Sequence, residues 1–179
     1  MKSIAVFCAA SELIDKTYVD AARAVGALFG RMGAELVYGG ARFGLMEAVA
    51  RSAKENGAKI TGVVPHILEE RGRVSSLLDE KIECDNLSDR KDIMLQRSGL
   101  LVALPGGIGT LDEIFHVLAA GMIGYHGKKV VLYNVDGFWD GLVKVIGEMG
   151  DKGFVRADLA SQLLVADTLD ELEKVINEI

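Results

Sequence analysis

Residues Pro105-Gly106-Gly107-Ile108-Gly109-Thr110 place three glycines and a hydroxyl side chain after the strongly apolar run 100–104 and before a helical pattern. Glycines there let backbone N–H groups approach an anion closely, and the start of a helix adds positive potential. That chemistry suits a phosphate, and Gly106, Gly107, Gly109 and Thr110 are the candidate binding residues. The bland alternative is a strand-to-helix turn with no ligand. The run matches neither GxxxxGK[ST] nor GxGxxG, which argues against a P-loop ATPase and a nicotinamide dehydrogenase.

Glu113 stands three residues after Thr110. The pair fits the S/T-x-x-E capping box, a structural role. It equally fits a carboxylate one turn from the phosphate loop, able to bind ribose hydroxyls or face a developing cation. Spacing alone leaves both open.

A second glycine cluster, Tyr38-Gly39-Gly40-Ala41-Arg42-Phe43-Gly44-Leu45-Met46, also follows a strand pattern and opens a helix. Arg42 either faces a phosphate or is an ordinary solvated arginine. A third segment, Asp89-Arg90-Lys91-Asp92-Ile93-Met94, reads on charge pattern as a solvated helix start.

The elements that must position these residues alternate regularly. Apolar runs predict strands at 4–8, 35–38, 59–64, 81–84, 100–104, 129–133 and 163–165. Helical spacing predicts helices at 16–32, 43–56, 87–97, 110–124, 138–149 and 170–179, the last opened by a capping box at Thr168 and Glu171. Residues 66–80 are charged and irregular, a mobile loop or short helix. Apolar strands alternating with helices imply a parallel sheet covered on both faces: a single Rossmann-like, doubly wound α/β domain over residues 1–179. Ligands of such sheets bind beyond the carboxyl ends of the strands, where the loops 8–13, 39–44, 85–91 and 105–110 meet.

The chain has 179 residues, a net charge of −6 and no basic stripe, so nucleic acid is not an expected partner. Cys8 and Cys84 lie in no CxxC or Cys/His cluster, which predicts buried free thiols rather than zinc or disulfides. The N-terminal apolar stretch is too short for a signal peptide and no run reaches membrane-spanning length, so a soluble, cytoplasmic protein is expected.

Together, PGGxGTxxE from Pro105 to Glu113, the YGGG-x-x-GLMG-like run from Tyr38 to Met46, and RKxxM at Arg90, Lys91 and Met94 resemble the LONELY GUY family. Its members are cytokinin riboside 5′-monophosphate phosphoribohydrolases, many carrying the older label "lysine decarboxylase family". Thr61-Gly62-Val63-Val64-Pro65 and Asn134-Val135-Asp136-Gly137-Phe138 echo the family further.

The resemblance implies hydrolysis of the N-glycosidic bond of a purine nucleoside 5′-monophosphate, with Arg90 and Glu113 carrying the chemistry. It implies binding positions at Ser11, Gly39, Gly40, Arg42, Met46 and Lys91, and no metal or organic cofactor. The chain departs from the family pattern at Ala41, Glu47, Ser88, His116, Ala119 and Ala120. The last three fall where the base is expected to be framed.

Such cleavage passes through an oxocarbenium-like state. Glu113 is expected to stabilise the ribose cation and orient water. Arg90 is expected to act electrostatically, because a guanidinium is a poor proton donor. The competing readings are a nucleotide-binding protein without turnover and a pyridoxal decarboxylase. The latter is disfavoured because no lysine lies in residues 92–127.

The helix 110–124 carries Leu111, Ile114, Phe115, Val117, Leu118, Met122 and Ile123 all round its axis. A sheet covers only one side of a helix, so this pattern predicts a homodimer packed through it. The alternative is cover by the terminal helix of the same chain.

Overall fold

The computed structural model describes residues 1–156, 159 and 161–178. Seven strands form one parallel sheet in the order β4-β3-β2-β1-β5-β6-β7. They are β1 (Ser3–Phe7), β2 (Glu35–Tyr38), β3 (Ile60–Pro65), β4 (Glu80–Cys84), β5 (Leu100–Ala103), β6 (Val130–Tyr133) and β7 (Leu163–Ala166). The helices are α1 (Lys16–Arg31), α2 (Gly44–Glu55), α3 (His66–Glu70), α4 (Leu87–Arg97), α5 (Ile108–Met122), α6 (Asp140–Asp151) and α7 (Leu169–Glu178). No helix among the described residues is long and apolar enough to cross a membrane.

The central strands are apolar throughout because both their faces are buried. Ile4 and Val6 of β1 pack with α1, α2 and α7, whereas Ala5 and Phe7 pack on the opposite side with α4 and α5. β5 divides likewise, Leu100 and Val102 from Leu101 and Ala103. The edge strand β4 keeps Lys81 and Glu83 exposed. Cys8 and Cys84 are free and buried, as expected.

The chain winds outward from β1 to β4, then returns to lay β5 on the other side of β1. That reversal is the topological switch point, where a doubly wound sheet opens a crevice. The β1 and β5 loops meet there: the Leu104 N–H donates to the Phe7 carbonyl at 2.9 Å and the Ala9 N–H to the Pro105 carbonyl at 3.2 Å.

One expectation changes and two alternatives narrow. α5 begins at Ile108 with Gly107 as its N-cap, so Thr110 is the helix's third residue and the Thr110–Glu113 capping box does not form. The segment 66–80 holds α3 and then bridges back, Val74 pairing antiparallel with Ala41. α7 lies against α1, β6 and β7, across the sheet from α5, and leaves α5 uncovered. The terminal cap forms with a one-residue offset. The Thr168 hydroxyl accepts from the Glu171 N–H at 3.2 Å, and the Glu171 carboxylate accepts from the Asp167 N–H at 2.8 Å.

Candidate active site

The crevice at the switch point holds a cavity of about 330 Å³. One wall is the start of α5, with Gly107, Gly109, Thr110 and Glu113. Another is the loop after β1, Cys8 to Ser11. Met46 of α2 and Arg90 of α4 complete it. Larger grooves lie along α6 and β7 and between α4 and α5, away from the glycine loop.

The first turn of α5 presents backbone N–H groups that no helical carbonyl can reach. Gly107 and Gly109 have open space where a side chain would begin, so an anion can approach the backbone there. Gly106 serves differently: a Cβ on it would lie 2.1 Å from the Thr110 hydroxyl, so it lets the loop close over Thr110 rather than lining the cavity.

Arg90 is 8% exposed, and its guanidinium is fixed by two backbone carbonyls. Nε donates to Val63 at 3.0 Å and Nη2 to Gly39 at 2.6 Å. A Cβ on Gly39 would sit 1.7 Å from Nη2, which is why this position needs glycine. The first turn of α4 is capped by Asn86, whose side chain accepts from the Ser88 and Asp89 N–H groups. The charge pattern suggested a solvated face; the structure buries Arg90 and sets it in the cavity wall.

Glu113 is 7% exposed and receives no hydrogen bond from the described residues. Burial pushes its pKa from 4.5 up to about 7; Arg90 and Lys91 pull it down, and Asp112 pushes it up. The Cys8 thiol is driven far up by burial and by Glu113, so it is a neutral lining group.

Other expected binding residues lie elsewhere. Lys91 is taken up by Asp112, at 2.8 Å from both carboxylate oxygens. Gly40 has φ of +71°, a turn that disfavours other residues, and its carbonyl accepts from the Ser75 N–H at 2.8 Å. Arg42 is exposed, its guanidinium over the Phe43 ring at 5.2 Å, outside the cavity lining. Sequence reasoning missed Cys8, Ala9 and Ala10 as lining residues, although the loop containing them was marked as a ligand-edge loop. It also missed the Val63 carbonyl that anchors Arg90, for which no local signal exists.

The fold and cavity define a doubly wound α/β protein with a glycine-bordered helix start, a buried arginine and a buried carboxylate at its switch point. A family model described as "Possible lysine decarboxylase" matches residues 46–176. A Mycobacterium marinum protein named cytokinin riboside 5′-monophosphate phosphoribohydrolase is 35% identical, covering 94% of this chain and 90% of its own. An Arabidopsis thaliana protein of the same name, LOG4, is 34% identical over 98% of this chain and 81% of its own. The chain belongs to this LONELY GUY family.

Among solved structures, the molybdenum cofactor carrier protein of Chlamydomonas reinhardtii superposes with a TM-score of 0.76. It is 24% identical and covers 99% of this chain and 98% of its own. The molybdenum cofactor binding protein of Rippkaea orientalis gives 0.74 at 22% identity, over 99% and 97%. At these identities the likeness is one of fold.

Proposed function

We propose that this chain hydrolyses the N-glycosidic bond of a purine nucleoside 5′-monophosphate, giving free base and ribose 5-phosphate. The observation that carries it is that Glu113 and Arg90 line one cavity together with the first turn of α5. The monophosphate substrates in the names of the relatives fit a cavity of that chemistry.

The 5′-phosphate sits on the first turn of α5, held by N–H groups of Gly107, Gly109 and Thr110. Cleavage breaks the bond from the ribose anomeric carbon to the base nitrogen, and the electron pair leaves with the base. Ionised Glu113 faces the developing ribose cation and takes a proton from the attacking water. The base regains a proton on departure. Arg90, locked by Gly39 and Val63, supplies fixed positive charge toward the phosphate or the leaving base without giving up its proton.

AMP and cytokinin riboside monophosphates are both within this reading. His116, Ala119 and Ala120 line the groove between α4 and α5, apart from the cavity that holds Glu113 and Arg90. The working unit is a homodimer packed through α5.

Incubation of the purified protein with AMP, followed by chromatography for adenine and ribose 5-phosphate, tests the reaction. Release of both supports it. Tight binding of AMP, cytokinin riboside monophosphates and other nucleoside monophosphates with no release from any of them favours a binding protein without turnover.

A further inference from the structure

The loop after β2 closes the cavity on the side away from the glycine loop. Met46 lines the cavity, Gly39 holds Arg90, and a Cβ at Gly44 would lie 2.4 Å from the Ser11 carbonyl oxygen. Arg42 belongs to this loop but lies outside the cavity lining, and Arg73 meets it from the segment after α3. Their backbones are joined. The Arg42 N–H donates to the Arg73 carbonyl at 3.0 Å, and Ala41 bridges Val74. Ser75, next along, is held by the Glu47 carboxylate at 2.7 Å.

Both guanidiniums lie over one ring, with Cζ 5.2 Å and 5.7 Å from the Phe43 centroid. Both residues are exposed, and neither has a carboxylate partner among the described residues. Two like charges on one ring repel, and the ring's negative face offsets only part of that. An anion seated between the two forks would neutralise both through charge-assisted hydrogen bonds.

The strand order sets the distance. The glycine loop follows β5 and the Arg42 loop follows β2, with β1 between them. Strands lie about 4.8 Å apart, so the two loops are separated by roughly 10 Å. That is close to the span of a purine nucleoside 5′-monophosphate from its phosphate to the exocyclic edge of its base. With the phosphate on the α5 turn, a group on the base end spans that distance.

We propose that Arg42 and Arg73 form a second anion site that takes an acidic substituent on the base end of a nucleoside 5′-monophosphate. This rests on the nucleotide reading of the cavity and narrows its substrate class.

Calorimetric titration at low salt with AMP and with N6-(1,2-dicarboxyethyl)-AMP tests it, on the wild-type arginine pair and on R42Q/R73Q, both in a Glu113→Gln background so that no turnover enters the heats. Wild type is expected to bind the dicarboxylate about tenfold more tightly than AMP, and the double variant to reduce that ratio to about one. Each single variant should lose about threefold of the ratio, and 0.5 M salt should erase it in wild type. A ratio near one in wild type, or a tenfold ratio that survives in R42Q/R73Q, overturns the second site while AMP binding leaves the nucleotide reading standing. Failure of AMP to bind wild type overturns both.

Discussion

Lys91 of α4 places its ammonium 2.8 Å from both carboxylate oxygens of Asp112 on α5, joining the helices that carry Arg90 and Glu113. The Lys91 side chain is only 13% exposed, so screening is weaker than at an open surface. The two partners act on Glu113 with opposite sign, Lys91 lowering its pKa and Asp112 raising it.

Lys91→Met and Asp112→Asn should therefore move the pH profile in opposite directions. In the proposed mechanism ionised Glu113 is the active form, so the ascending limb of kcat/KM is expected near the carboxyl's pKa of about 7. Removing the ammonium moves that limb to higher pH, and removing the Asp112 charge moves it to lower pH. A clamp that only fixed geometry would lower the rate in both variants without separating the limbs.

Glu113→Gln is expected to abolish base release and to stabilise the fold above neutral pH. The native carboxyl holds its proton up to about 7, while the unfolded one releases it near 4.5. The unfolded state thus binds fewer protons across that window, and wild-type stability falls as pH rises from about 4.5 through about 7. Glutamine carries no such penalty. Denaturant melts should show little difference between the two proteins at pH 4 and a gain for Glu113→Gln of roughly 3 kcal/mol at pH 8. A gain independent of pH would contradict the burial of an ionisable carboxyl here.

The alternation of strands and helices was legible because both faces of the inner strands are covered, which writes apolar runs such as Leu100 to Ala103 into the chain. The glycine loop was legible for a local reason, since strand, turn and helix follow within ten residues. The role of Glu113 was not. A capping box and a buried carboxylate share the same spacing, and only the helix start at Ile108 separates them. Arg90 and Arg42 both read as charged residues beside ligand-edge loops. Burial of one and exposure of the other depend on the carbonyls of Val63 and Gly39, 27 and 51 residues away from Arg90.

Gly39→Ala should act as an indirect Arg90 variant. The added methyl would meet Nη2 at 1.7 Å and expel the guanidinium from its carbonyl pair. Turnover is expected to fall toward that of Arg90→Ala, and the double variant to cost no more than either alone, since both remove one interaction. Additive losses would separate Gly39 from Arg90.

Adenosine should be a far poorer substrate than AMP. In the proposed reaction the N–H groups of the α5 turn hold the phosphate, and binding energy from that remote group orients the bond to be cleaved. A loss of at least a hundredfold in kcat/KM, about 3 kcal/mol, is expected. Comparable efficiencies would detach the glycine loop from the reaction.

The α5 surface predicts the assembly. Ile114, Val117 and Leu118 pack on the sheet, but Phe115 is 45% exposed and Ile123 68% exposed on the outer side. Ile108 and Tyr125, at the two ends of the helix, are 83% and 80% exposed. α7 cannot cover them, because it lies on the opposite face of the sheet. Apolar side chains aligned along one helix and bare to water are costly in a lone chain, and a second copy meeting them across a two-fold axis would bury the same residues on both partners. Ala119 and Ala120 allow the two helices to approach. Light scattering at micromolar concentration should give twice the 19.2 kDa chain mass. Phe115→Glu with Ile123→Glu should shift the protein to the monomer mass, because each dimer would then bury four unpaired carboxylates. A wild-type mass of one chain would refute the dimer, and a dimer that survives both substitutions would place its interface elsewhere.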